Sequence, residues 1–191
     1  GKNTVQNTIN ILRDRKGLNG TDIGMGNEKA INQLIAHHSV VFEPKKLLVW
    51  VSTAPWQLGE YVAYDLNTIF ALKGLKENRE VADSSLAIAA DPFLSTPAFK
   101  QFEVFRKLKQ QVMDGGTINT DSLVTSNPEF YNAYLLAGDY LYKQEKYVLA
   151  LQNYKVALTK VVATKKEVIY IQEQIKKINK KTSKCTASHS S

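Results

Sequence analysis

INQLIAHHSVVFEPKKLLVWVSTAPWQLGEYVAYD, Ile31 to Asp65, holds both tryptophans of the chain, two of its three histidines and its densest run of β-formers. From Val40 the residues read VVF, then EPKK, then LLVWV. Two short runs of Val, Phe, Trp and Leu, parted by four residues with Pro44 among them, predict a β-hairpin. A third strand is predicted over Tyr61 to Tyr64. Strict alternation would mark a sheet with one wet face, but these runs are continuously apolar. Strands apolar on both faces need cover on both, so the stretch predicts a layered domain with helices or a second sheet on either side. The residues before the hairpin offer about one helix, which leaves part of that cover to come from elsewhere.

That one helix is predicted within NTVQNTINILRDRK, residues 3 to 16, where Val5, Ile9 and Leu12 form an apolar stripe. It ends at Gly17. LNGTDIGMGN then carries Gly20, Gly24 and Gly26, a density suited to a connecting or functional loop. No Lys-Ser/Thr ending follows, so the glycines do not make a phosphate cradle. Asn27 is a cap for a short turn through EKAINQL.

The strings GNEKAINQLIAHHSVVFEP (Gly26 to Pro44) and LLVWVSTAPWQLGEYVAYDL (Leu47 to Leu66) closely resemble the C-terminal end of the catalytic domain in bacterial proteins related to acyl-coenzyme A:6-aminopenicillanic-acid acyltransferase. The resemblance covers roughly residues 3 to 70 and implies an N-terminal-nucleophile hydrolase: a four-layer αββα sandwich with a cysteine, exposed by self-cleavage, as nucleophile. No such cysteine opens this chain, which begins Gly1-Lys2-Asn3; its one cysteine is Cys185. The expectation is therefore the C-terminal portion of a longer cysteine-nucleophile amidohydrolase or acyltransferase, acting on an amide or acyl thioester, with no catalytic residue in this chain. The resemblance puts the hairpin near the active-site side, which makes Asn32, His37 and His38 candidates for lining the substrate pocket. Adjacent histidines at the mouth of a strand point to opposite faces, and no Asp, Glu or Cys stands at ligand spacing, so no metal site is expected. One buried and one surface histidine is the plain alternative. Trp50 reads as core, while Trp56, after Pro55 in the turn, either walls a pocket or simply packs.

From Leu66 the pattern turns helical. NTIFALKGLKENRE predicts a short helix broken near Gly74, and VADSSLAIAAD a second that stops before Pro92. Thr96-Pro97 opens a longer one with Phe99, Phe102, Phe105 (or Val104), Leu108 and Val112 as its stripe, ended by Gly115-Gly116. In EFYNAYLLAGDYLYKQEKYVLALQNYKVALTK, residues 129 to 160, Tyr134, Ala137, Gly138 and Leu141, then Ala150, Tyr154 and Ala157, follow tetratricopeptide spacing. The resemblance spans roughly 131 to 164, with Ala137 for leucine, Leu141 for tyrosine and Val162 for the closing proline as departures. A last helix over about 164 to 180 carries Val168, Ile171, Ile175 and Ile178 on one stripe. A lone repeat cannot bury its own face, so these helices are expected to form one bundle, either a structural appendage or a module with a peptide partner.

The whole is expected to be α+β: a partial αββα hydrolase-like hairpin and sheet segment over 1–70, an all-α tetratricopeptide-like bundle over 71–182 and a disordered tail over 183–191. The net charge of +7, from 25 Lys+Arg against 18 Asp+Glu, raises a nucleic-acid partner. Much of the excess sits in five lysines between Lys176 and Lys184, at a helix end where cations offset the dipole, without the interleaved Arg and aromatics that stack bases. No nucleic acid and no cofactor are expected. A single cysteine leaves no internal disulfide, and no apolar run is long enough to span a membrane. The compartment stays open, with export or a periplasmic place requiring a signal on the missing portion. The expected partners are that portion or a second copy paired through the sheet.

Overall fold

The computed structural model describes residues 3–72 and 80–187. It is an α+β chain, mostly helical, that divides into two compact units: Gly1–Arg15 with Ala30–Thr96, and Lys16–Lys29 with Pro97–Ser191. The boundary thus falls at 96/97 rather than 70/71, and the glycine-rich loop belongs with the helices rather than with the sheet beside it in sequence.

In the first unit β1 (Val40–Glu43), β2 (Leu48–Ser52) and β3 (Tyr61–Asp65) form an antiparallel sheet in that order. The register sets Val41, Trp50 and Ala63 in one row and Ser52 opposite Tyr61 in the next. Successive side chains alternate between faces, and α1 (Val5–Leu12) covers this one: Ile9 packs with Val41, Trp50, Tyr61 and Ala63, flanked by Val5, Leu12, Leu48, Leu86 and Ile88. The other face carries Val40, Val51 and Val62 in one row and Phe42, Val49 and Tyr64 in the next. Cover on both faces was the expectation; among the described residues the second face is only partly covered, with Phe42 65% and Val40 41% exposed and the other four half-buried.

α2 (Leu66–Phe70) is a single short turn capped by Asp65, whose carboxylate accepts from the Asn67 amide. The expected break near Gly74 lies outside the described residues. The helix expected over VADSSLAIAAD does not form. Asp83 accepts from the Ser85 amide and stops the chain at one 3-10 turn, Ser84–Leu86. Ile88 then pairs with Tyr61, amide to carbonyl in both directions at 2.8 and 3.0 Å, and Trp50 Nε1 donates to the Leu86 carbonyl. Sheet pairing and a buried indole thus claim the backbone groups that a helix would have used.

In the second unit α3 (Pro97–Met113) buries Phe99, Phe102 and Phe105, while Val104 is exposed. Gly115, at φ +76°, takes the left-handed turn that ends it. α4 (Thr120–Thr125) leads to α5 (Tyr131–Lys143), α6 (Tyr147–Thr159) and α7 (Lys165–Ala187). α7 buries Ile171 and Ile178 and continues helical to Ala187, so the tail expected from 183 is helix over its first residues; 188–191 lie outside the described residues.

Candidate functional site

Of the four pocket candidates, the structure joins two and leaves two apart. Asn32 is buried, its amide donates to the Asp14 carbonyl, and both ends of its side chain are engaged. Oδ1 accepts from the Leu34 amide at 2.9 Å and Nδ2 donates to the Trp56 carbonyl at 3.0 Å. Asn32 therefore braces the turn that carries Trp56. His37 and His38 precede β1 in irregular chain rather than standing in the strand, and both are exposed. A buried member of the pair is thus not found.

The turn itself is strained, and Trp56 within it is half-buried. Trp56 and Gln57 both sit at positive φ, +44° and +69°, which a non-glycine residue holds only under tertiary constraint. Arg13 supplies much of that constraint. From the end of α1 it donates through Nε to the Gln57 carbonyl at 3.2 Å, and through Nη2 to the carbonyls of Gly59 at 2.7 Å and Ala89 at 2.9 Å. Its guanidinium lies 5.1 Å from the Tyr61 ring centre. Burial lowers its pKa, offset in part by Asp91, yet a guanidinium remains a cation at any ordinary pH. Arg15 extends the clamp, pairing with Asp91 at 3.0 Å and stacking over Phe93. Sequence reading missed Arg13, because an arginine just past an apolar stripe reads as solvated; only its carbonyl partners, 44 to 76 residues distant, reveal it.

A cavity of about 770 Å³ opens beside β1, lined by residues such as Thr4, Thr8, Val41, Phe42 and Pro44. Asn32, His37, His38 and Trp56 are not among its lining residues. Among the described residues no group of three or more His, Cys, Asp or Glu is placed to hold a metal ion, and no helix is long and apolar enough to cross a membrane.

In the helical unit the residues singled out by spacing converge. Ala137, Gly138 and Leu141 on α5 and Ala150, Tyr154 and Ala157 on α6 are buried; Tyr134 is half-buried, its hydroxyl donating to the Pro128 carbonyl. Small residues let the helices approach closely enough for the Tyr154 ring to lie on Gly138. Tyr154 then reaches past it to donate to Asp139 Oδ1 at 2.6 Å, and Tyr170 of α7 donates to the same oxygen at 3.0 Å. Burial first, and then Asp139, push the Tyr170 phenol up to about 12.

Comparison with known proteins adds no assignment: no family model, no curated protein and no solved structure matches this chain.

Proposed function

We propose that this chain is the C-terminal part of a cysteine-nucleophile amidohydrolase or acyltransferase of the N-terminal-nucleophile kind, acting on an amide or acyl thioester, with the nucleophile outside this chain. The observation that carries the reading is the half-covered sheet. A helix, a sheet and an apolar face left only partly covered among the described residues, in that order, match the layers of one side of an αββα sandwich, and the occupant that fits that face is a second sheet. The exposed side chains of that face, Val40 and Phe42, would each gain up to about 1.5–3 kcal/mol on full burial, and the four half-buried ones less. The braced turn at Trp56, held by Asn32 and Arg13, supports a share in the pocket wall. In such an enzyme the freed α-amino group acts as base, the thiolate attacks the carbonyl and fixed donors hold the oxyanion. Cys185, on α7, has no part in this.

A second reading, a non-catalytic helical module for protein interaction or structure, is favoured by the close α5–α6 crossing at Gly138. Native mass spectrometry of the protein from its own cells separates the two. A cysteine-first chain found with this one supports the enzyme; this chain found alone, or amide or thioester turnover lost on Cys185→Ala, contradicts it.

A further inference from the structure

Residues 22 to 28 lie against the helical unit much as a bound peptide would. The segment has no helix or strand of its own, and its ties run to residues more than a hundred positions away. Asn127, itself buried just ahead of α5, grips the backbone of Met25 with both ends of its amide: Oδ1 accepts from the Met25 amide at 3.1 Å and Nδ2 donates to the Met25 carbonyl at 2.7 Å. Such a fork recognises backbone whatever side chain it carries. One residue earlier, Gly24 at φ +80° lies so close to Phe130 that any Cβ would overlap the Phe130 backbone. Two residues later, Asn27 donates to the Val161 carbonyl at 2.8 Å, and the Glu28 carboxylate lies 3.3 Å from the hydroxyl of Tyr131, which donates to Glu167.

We infer that Asn127, Phe130, Tyr131 and Val161 form a binding site for a glycine-containing peptide segment, and that residues 22 to 28 fill it in cis. The ligand class follows from the contacts: glycine where Phe130 stands, a free backbone amide and carbonyl for Asn127, and an asparagine for the Val161 carbonyl, followed by a residue that stands beside Tyr131. A peptide of this kind binds in trans only when the chain's own segment is out, so its apparent affinity is reduced by the fraction of open molecules. The inference is independent of the enzyme reading.

The test uses the full chain and a fluorescein-labelled peptide with the sequence of residues 19 to 30, followed by anisotropy. Gly24→Val drives the cis segment off Phe130 and leaves the four site residues in place. The expected result is binding to Gly24→Val at least about tenfold tighter than to wild type, lost again when Asn127→Ala is added. Three results overturn the inference: equal affinity for wild type and variant, undiminished binding after Asn127→Ala, or loss of hydrogen-exchange protection across α5 and α6 in Gly24→Val. The last would make the segment part of the core rather than the occupant of a site.

Discussion

Tyr154 occupies the space a side chain at Gly138 would need: a Cβ there would stand 2.7 Å from Tyr154 Cε1 and 2.8 Å from Cδ1. The ring is fully buried and its hydroxyl is tied to Asp139, so it cannot swing aside without giving up that bond. Gly138→Leu is therefore expected to force α5 and α6 apart and cost roughly 1–3 kcal/mol by overpacking. Thermal melts of the two proteins check it; equal midpoints would contradict the close crossing.

Asp139 gives this contact a pH dependence. Burial, the largest cause, holds its carboxyl above the ordinary value of 3.8, against the opposing effects of the Tyr154 and Tyr170 hydroxyls and Lys143. The folded chain thus keeps this proton to a higher pH than the unfolded chain, and stability decreases with rising pH wherever the folded state binds more protons. The contribution is full below the unfolded value and is lost as pH rises through the folded one. Asp139→Asn removes it, so denaturant titrations over roughly pH 3 to 7 should show the stability difference moving against wild type as pH rises. A difference that is constant, or moves the other way, contradicts this.

The two faces of the sheet predict opposite responses to truncation. Trp50→Ala empties the covered side and should cost about 3–5 kcal/mol, with the Leu86 carbonyl left unpaired. Phe42→Ser on the partly covered side should stay within about 0.5 kcal/mol of wild type and make the isolated chain more soluble. Urea unfolding of both variants checks the pair.

Arg13→Met keeps the apolar stem but withdraws three carbonyl partners, those of Gln57, Gly59 and Ala89. Unpaired buried acceptors cost about 1–3 kcal/mol, and the turn at Trp56 loses a clamp. A lowered unfolding midpoint with altered tryptophan fluorescence in the folded state is the expected outcome. Unchanged fluorescence would mean that the turn keeps its shape without the Arg13 clamp.

The three strands were legible because β-branched and aromatic runs with a proline between them have few other uses, and the α5–α6 pair because its small residues recur at fixed spacing. Which sheet face would be only partly covered was not. Val41 and Phe42 are neighbours of similar character, and only α1 lying over Val41 separates them. The chain around Ser84 failed for a different reason: its apolar spacing suits a helix, but Trp50 Nε1 and the Tyr61 backbone bond Leu86 and Ile88 from afar. The loop at Gly24 read as connecting or functional without a partner, since its place on the helical unit depends on Asn127, a side chain with no local signal.

Hydrogen exchange on the isolated chain at two concentrations about a hundredfold apart bears most directly on the half-covered sheet, because protection reports how readily each element opens. With the second face only partly covered, copies should cover one another at the higher concentration, so amides of residues 40 to 65 gain protection while those of α5 to α7 do not change. A chain that stays monomeric, with strand amides equally protected at both concentrations, would show that the three strands complete their own core and would contradict the proposed missing sheet.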